Sequence, residues 1–360
     1  MRVVSVVGAR PQFVKLAPVA HAMAVAGVEH VIIHTGQHYD PMLSDVFFTD
    51  LGIPAPDVHL GVGSGGHGAQ TGAMLAALDE ALPPLSADWV LVYGDTNSTL
   101  AAALAAVKLH IPVAHLEAGL RSFNRAMPEE INRVLTDHAA DLLLTPTAVG
   151  AEHLATEGLA SSTVVVGDVM TDVLLQVRDR VSGSPSPVME ELSLAEGSYS
   201  LATIHRAENT DDAERLEAVL DSLARVDHPV VILAHPRLVA KCAEHGLALE
   251  SRGSLLIHPP LAYPDLIASA LHARGVITDS GGLQKEAFLL RVPCTTVRPQ
   301  TEWVETVELG WNRLVEPGEA LVEAASRPRP AEPREADAHP YGDGHAAERV
   351  VAELIAHLPG

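Results

Sequence analysis

Several acidic or imidazole side chains stand just past short apolar runs. Asp95 follows residues 89–93, Glu117 follows 112–116, Glu129 and Glu130 come in the next loop, and His205 follows 199–204. Carboxylates and a histidine gathered at strand ends are the residue types of acid–base catalysis, in which one group takes a proton and another returns it. Helix capping by Asp95, just before Thr96, is the competing reading for that residue. Two strand–turn–helix junctions offer cations and amides instead. In Val6-Val7-Gly8-Ala9-Arg10-Pro11-Gln12 a single glycine stands where a dinucleotide fingerprint needs three, which argues against nicotinamide or flavin chemistry. Arg10 falls at the mouth of a helix, where N–H groups and a guanidinium fork suit phosphate. In Thr278-Asp279-Ser280-Gly281-Gly282 the small residues let the amides of Ser280, Gly281 and Gly282 approach a diphosphate. Glu286 lies about a helical turn further on, suited to ribose hydroxyls, while Ser280 as a plain N-cap is the alternative for the turn. His34 and His38 have a metal-ligand spacing only if helical. Their segment reads as a strand entering a glycine turn, so no metal site is expected.

The elements that must carry these residues alternate along the chain. Apolar, β-branched runs at 3–7, 30–34, 89–93, 112–116, 142–145 and 163–166 are separated by helical spacings such as Met74, Leu75, Leu78, Leu82 and Leu100, Leu104, Val107. Continuous apolar strands divided by helices predict a parallel sheet covered on both faces. The turn-rich stretch Ser182-Gly183-Ser184-Pro185-Ser186-Pro187 reads as a hinge or linker between domains that meet around residues 170–197. The alternation resumes with strands predicted at 199–204, 230–234, 254–257, 275–278 and 293–297 and helices at 213–225 and 283–290. Residues 327–340 read as a surface loop and 345–358 as a closing amphipathic helix. The expectation is α/β: two doubly wound, Rossmann-like domains, 1–170 and 171–344, with a cleft between them and the last helix packing back on the first domain.

Composition limits the partners. Lys and Arg number 24 against 46 Asp and Glu, a formal charge of −22, which disfavours nucleic acid and anionic membranes because phosphate binding needs clustered cations. Two cysteines, Cys242 and Cys294, make neither a CxxC pair nor a disulfide framework and suit a reducing compartment. The N-terminal apolar run is too short for a signal peptide, so the expected location is cytoplasmic.

The blocks Gly8-Ala9-Arg10-Pro11-Gln12-Phe13-Val14-Lys15, Gly36-Gln37-His38, Tyr93-Gly94-Asp95-Thr96-Asn97-Ser98-Thr99, His115-Leu116-Glu117-Ala118-Gly119-Leu120-Arg121, Pro128-Glu129-Glu130-Ile131-Asn132-Arg133, Thr203-Ile204-His205-Arg206-Ala207-Glu208-Asn209, Asp279-Ser280-Gly281-Gly282 and Thr301-Glu302-Trp303 occur in that order. Together they resemble the non-hydrolysing UDP-N-acetylglucosamine 2-epimerases over nearly the whole chain. The resemblance implies the two-domain glycosyltransferase-B architecture, a UDP-sugar ligand, no redox cofactor, and a homodimer. It implies elimination of UDP to a 2-acetamidoglucal and re-addition, with Asp95, Glu117 and Glu129 as acid–base groups and His205 near the diphosphate. Arg10, Lys15, Ser280, Gly281, Gly282 and Glu286 would hold UDP, with Lys15 in a supporting electrostatic role. Gln37, His38 and His235 match a second, activating substrate site, although Ala73 stands where that site has an arginine. Some blocks are nearer to epimerases of UDP-2,3-diacetamido-glucuronate, for which Arg121, Arg125 or Arg298 would meet the sugar carboxylate. A glycosyltransferase of the same architecture is the remaining alternative.

Overall fold

The computed structural model describes residues 1–37, 53–334 and 338–358, apart from the side chain of Arg10. His38 therefore lies outside the described residues. The chain divides into two compact units, Met1–Val173 with His339–Gly360, and Leu174–Ala338.

In the first unit the apolar runs form strands β1 (Arg2–Val7), β2 (Glu29–His34), β3 (Val58–His59), β4 (Trp89–Tyr93), β5 (Val113–Leu116), β6 (Leu142–Thr145) and β7 (Thr163–Val165). They pair in parallel in the order β3-β2-β1-β4-β5-β6-β7. Alternation along β1 explains why both faces are apolar. Val3 and Val7 join Phe13, Leu16, Val19 and Met23 of the helix Arg10–Val25 and Val350 and Leu354 of the helix Ala346–Ala356. Val4 and Val6 face the other way, onto Met74 and Leu78 of His67–Ala81 and the alanines of Asn97–Lys108. Trp89 Nε1 donates to the Leu354 carbonyl at 3.0 Å, tying the last helix to the sheet of this unit.

The second unit repeats the plan with β8 (Ser200–Thr203), β9 (Val230–Leu233), β10 (Leu255–His258), β11 (Gly275–Thr278), β12 (Cys294–Thr296) and β13 (Asn312–Leu314). Its parallel order is β10-β9-β8-β11-β12-β13. In each sheet the strand order reverses beside the first strand, between β1 and β4 and between β8 and β11. Loops leave that point in opposite directions and open a crevice at the carboxyl ends of the strands.

Three expectations need correction. Residues 169–181 form a helix, Val169–Val181, inside which the chain passes from one unit to the other. Val169, Val173, Leu174, Val177 and Val181 are buried at helical spacing, a signal masked by the polar run after it. That run is not a free linker, because Ser186 is fully buried, caps the helix Pro187–Leu192 and bonds Tyr199 and Ser269. The segment read as a surface loop from 327 is anchored at its start: the Arg327 guanidinium donates to Thr295 Oγ1 at 2.9 Å and the Cys294 carbonyl at 2.6 Å. Strands β3 and β13 were invisible in the pattern because neither contains an apolar run. No helix among the described residues is long and apolar enough to cross a membrane.

Candidate active site

The turn after β1 is built around Gln12. Its Oε1 accepts the amides of Gly8 and Ala9 at 2.8 and 3.0 Å, and its Nε2 donates to the Tyr93 carbonyl and Thr99 Oγ1 at 2.9 and 3.1 Å. A Cβ on Gly8 would lie 1.9 Å from Thr35 Oγ1, so no other residue fits there. Two of the turn's amides are thus taken internally. An anion here would depend on Arg10, which begins the helix.

Asp95 and Glu117 leave adjacent strands, since Tyr93 of β4 is in register with Leu116 of β5. Gly94 and Glu117 both have left-handed backbones, with φ of 64° and 74°. For a residue with a Cβ that conformation is unfavourable by about 1–2 kcal/mol and persists only when its surroundings hold it. Each carboxylate has a cation: Asp95 pairs with Arg133, and Glu117 with Lys15. The acids are 27% and 19% exposed and the cations 11% and 14%, so the pairs are sheltered but reachable. A Cβ on Gly94 would lie 3.3 Å from Lys15 Nζ and 3.5 Å from Glu117 Oε2, which places all four groups around this glycine. Helix capping at this point belongs to Thr96, whose side chain accepts from the Thr99 amide, so Asp95 is not the cap. Glu129 is exposed in the first turn of Pro128–Ala139, and among the described residues none hydrogen-bonds its carboxylate. Its neighbour Glu130 is buried and accepts from Ser122 and Phe123, pinning the preceding loop.

In the second unit a fully buried Asp279 organises the β8–β11 switch point. It accepts from the amides of His205 and Arg206 and from Asn209 Nδ2 at 2.9–3.1 Å, and its Oδ1 lies 3.4 Å from His205 Nδ1. His205 lies against His235 with ring centroids 4.9 Å apart. Burial, then the neighbouring His205, pushes His235 below the usual imidazole range. Ser280 caps the next helix by accepting from the Leu283 amide, and its own amide donates to Thr278 Oγ1 at 2.9 Å. Among the described residues no group accepts from the amides of Gly281 and Gly282, so the anion-binding amides narrow to these two glycines. A Cβ on Gly281 would lie 2.3 Å from Glu302 Oε1. Glu286 accepts from the Tyr263 hydroxyl at 2.8 Å, and burial raises its carboxyl above the ordinary range.

The structure thus brings together Asp95, Glu117 and Lys15 in one unit, and His205, His235 and the Ser280–Gly282 turn in the other. Lys15 faces Glu117, a carboxylate, where a phosphate neighbour was expected. Gln37 Oε1 accepts from the amide and hydroxyl of Ser98 at 3.0 and 2.7 Å. His34 has Phe13 stacked at 5.1 Å and accepts from the Gly36 amide. Arg121 does not reach for a sugar carboxylate: its side chain is 1% exposed and pairs with Asp137 and Glu157. Arg298 pairs with Glu302 at 3.0 Å, whereas Arg125 is exposed and no described group pairs with it. Sequence reasoning gave no role to Arg133, Asp279 or Tyr263. For Asp279 the strand-end criterion that found Asp95 would have served. For Arg133 and Tyr263 no local signal exists.

The family model for UDP-N-acetylglucosamine 2-epimerase matches residues 21–355. A Methanococcus maripaludis protein named UDP-N-acetylglucosamine 2-epimerase homolog is 45% identical over 357 residues, covering 98% of this chain and 99% of its own. A Pseudomonas aeruginosa protein named UDP-2,3-diacetamido-2,3-dideoxy-D-glucuronate 2-epimerase is 44% identical over 365 residues, covering 99% and 100%. The crystal structure of Methanocaldococcus jannaschii UDP-GlcNAc 2-epimerase in complex with UDP-GlcNAc and UDP matches with a TM-score of 0.80 at 38% identity, over 99% of this chain and 100% of that one. The expected fold class, paired Rossmann-like units of the glycosyltransferase-B type, is shared with these structures.

Proposed function

The chain belongs to the UDP-N-acetylglucosamine 2-epimerase family, and from that premise we propose that it inverts carbon 2 of UDP-GlcNAc, interconverting it with UDP-ManNAc. Carbon 2 has no neighbouring ring carbonyl, so direct proton exchange there is very slow. Elimination solves this. A base takes the carbon-2 proton, that electron pair forms the C1=C2 bond, and the C1–O bond breaks as UDP leaves with its electrons. The 2-acetamidoglucal then takes UDP back at C1 while a proton reaches the opposite face of C2. Atoms and electrons balance without an added oxidant or reductant.

Asp95, Glu117 and Glu129 are the acid–base groups of this reading. Its support is the pair of strand-end carboxylates on adjacent strands, each ionically matched by a cation. Arg133 and Lys15 hold those acids in place and ready to exchange protons. The diphosphate is assigned to Arg10 and the amides of Gly281 and Gly282, aided by Lys15 and Ser280. His205, held by Asp279, stabilises the charge that grows on the leaving oxygen. Glu286 receives the ribose hydroxyls. Incubation with UDP-GlcNAc in heavy water tests the assignment. UDP-ManNAc carrying deuterium at C2 is expected, whereas unlabelled sugar, free ManNAc or transfer to an acceptor overturns it.

Epimerisation of UDP-2,3-diacetamido-glucuronate is the second reading, favoured by the 44% identity to the Pseudomonas protein of that name and by the unpaired, exposed Arg125. Comparing kcat/KM for the two sugars, with and without Arg125→Ala, decides between them. A second substrate site built on Gln37, His38 and His235 is disfavoured by Ala73 and by the bonds of Gln37 to Ser98. Hyperbolic substrate dependence is therefore expected, and a sigmoidal curve would restore that site. The protein is placed in the cytoplasm as a homodimer. Two buried, unbonded cysteines fit a reducing compartment, and light scattering checks the dimer.

A further inference from the structure

Behind the two carboxylates lies a buried polar network that the proposed chemistry does not use. His115, on β5, and Asp137, on the helix Pro128–Ala139, are each fully buried and meet through Nδ1 and Oδ1 at 2.7 Å. The other ring nitrogen, Nε2, lies 2.7 Å from the Gly94 carbonyl. A carbonyl only accepts, so Nε2 carries a hydrogen. The second oxygen of Asp137 receives the Gly119 amide at 3.2 Å and the Arg121 guanidinium at 2.6 Å. Burial favours the neutral acid, but His115 and Arg121 outweigh it and hold Asp137 below the ordinary carboxylate range. An ionised Asp137 is also a pure acceptor, so Nδ1 must donate to it as well. Arg121 continues to Glu157 through two bonds of 2.8 Å, and Glu157 meets His138 at 3.0 Å. With His115 charged, two cations balance Asp137 and Glu157, the condition under which buried charge is tolerated.

We propose that His115 is a positioning residue, a buried imidazolium whose two N–H groups clamp the Gly94 carbonyl to Asp137 and so hold the turns that present Asp95 and Glu117. Gly94 precedes Asp95, and Glu117 lies two residues beyond His115. Both turns are left-handed and need an external restraint. The Gly94 amide already donates to the Leu116 carbonyl at 3.0 Å, so the His115 bond closes a second tie between the same two turns. The proposal rests on the reading of Asp95 and Glu117 as acid–base groups.

Two conservative variants separate the donors. His115→Gln places an amide nitrogen near the position of Nε2, and His115→Asn places one near Nδ1. His115→Asn is expected to lower kcat about 100-fold, the scale of a misplaced catalytic group, with less than about twofold change in the dissociation constant for UDP. His115→Gln should recover at least about tenfold of that loss. Nitrogen NMR of isotope-labelled histidine in the wild-type protein should show both ring nitrogens of His115 protonated from about pH 6 to about pH 9. A bare ring nitrogen in that range, wild-type kcat in the Asn variant, or kcat and UDP affinity falling together would overturn the proposal. If neither variant folds, the wild-type spectrum decides. A wild type inactive on both UDP-sugars would refute the functional reading instead, leaving the spectrum to judge the imidazolium.

Discussion

Replacing Asp95 by Asn removes a proton carrier while changing few contacts. The Asn132 Nδ2 bond, at 3.0 Å, goes to the Asp95 backbone carbonyl and survives the substitution. What is lost is the ion pair with Arg133. Both partners are partly exposed, so that pair contributes no more than about 1 kcal/mol, and the variant should fold. Removing one essential acid–base group costs about 100- to 10,000-fold in rate, equivalent to about 2.7–5.4 kcal/mol of barrier. The chemical effect therefore exceeds the structural one several-fold. Three measurements distinguish them: deuterium uptake at C2 in heavy water, calorimetric affinity for UDP, and the urea midpoint. The reasoning expects uptake to collapse while UDP affinity stays within about threefold, a shift of about 0.65 kcal/mol, because the assigned diphosphate amides belong to the other unit. Near wild-type uptake would remove Asp95 from the mechanism. Uptake and UDP affinity lost together would show that the residue acts through folding.

Glu117→Gln should likewise stop turnover with UDP binding retained, and equal effects on kcat and UDP affinity would count against its role. Glu286→Gln is expected to weaken UDP binding yet stabilise the free protein. Burial raises the folded Glu286 carboxyl, so its ionisation above the ordinary carboxylate range opposes folding. The stability gap over wild type should accordingly widen as pH rises from about 4 and level off above the raised value, and a pH-independent gap would contradict this. His30 has the opposite sign. Burial lowers its imidazole to about 4, so wild-type stability should fall as pH drops from about 6.5 toward 4, by on the order of 3 kcal/mol at most. His30→Gln should remove that slope in thermal melts.

The apolar strands were legible because a parallel sheet covered on both faces writes its strands as short continuous hydrophobic runs, as at 89–93 and 275–278. Strand ends then marked Asp95, Glu117, His205 and the 280–282 turn, since crevices in such sheets open at carboxyl ends. Those readings need only local pattern. Partnership does not follow from local pattern. Lys15 meets Glu117 across 102 positions and Arg133 meets Asp95 across 38, and Tyr263 reaches Glu286 from another helix. Each pairing depends on which strands are neighbours and which helix covers them, a choice made by burial of the whole sheet. The same holds for the Ser280 amide, which Thr278 occupies, and for His115, an unremarkable histidine in a strand until Gly94 and Asp137 are packed on its two nitrogens. The sequence by itself determined which residues could do chemistry; tertiary packing decided which charges they face, because an ion pair is set by distance in space.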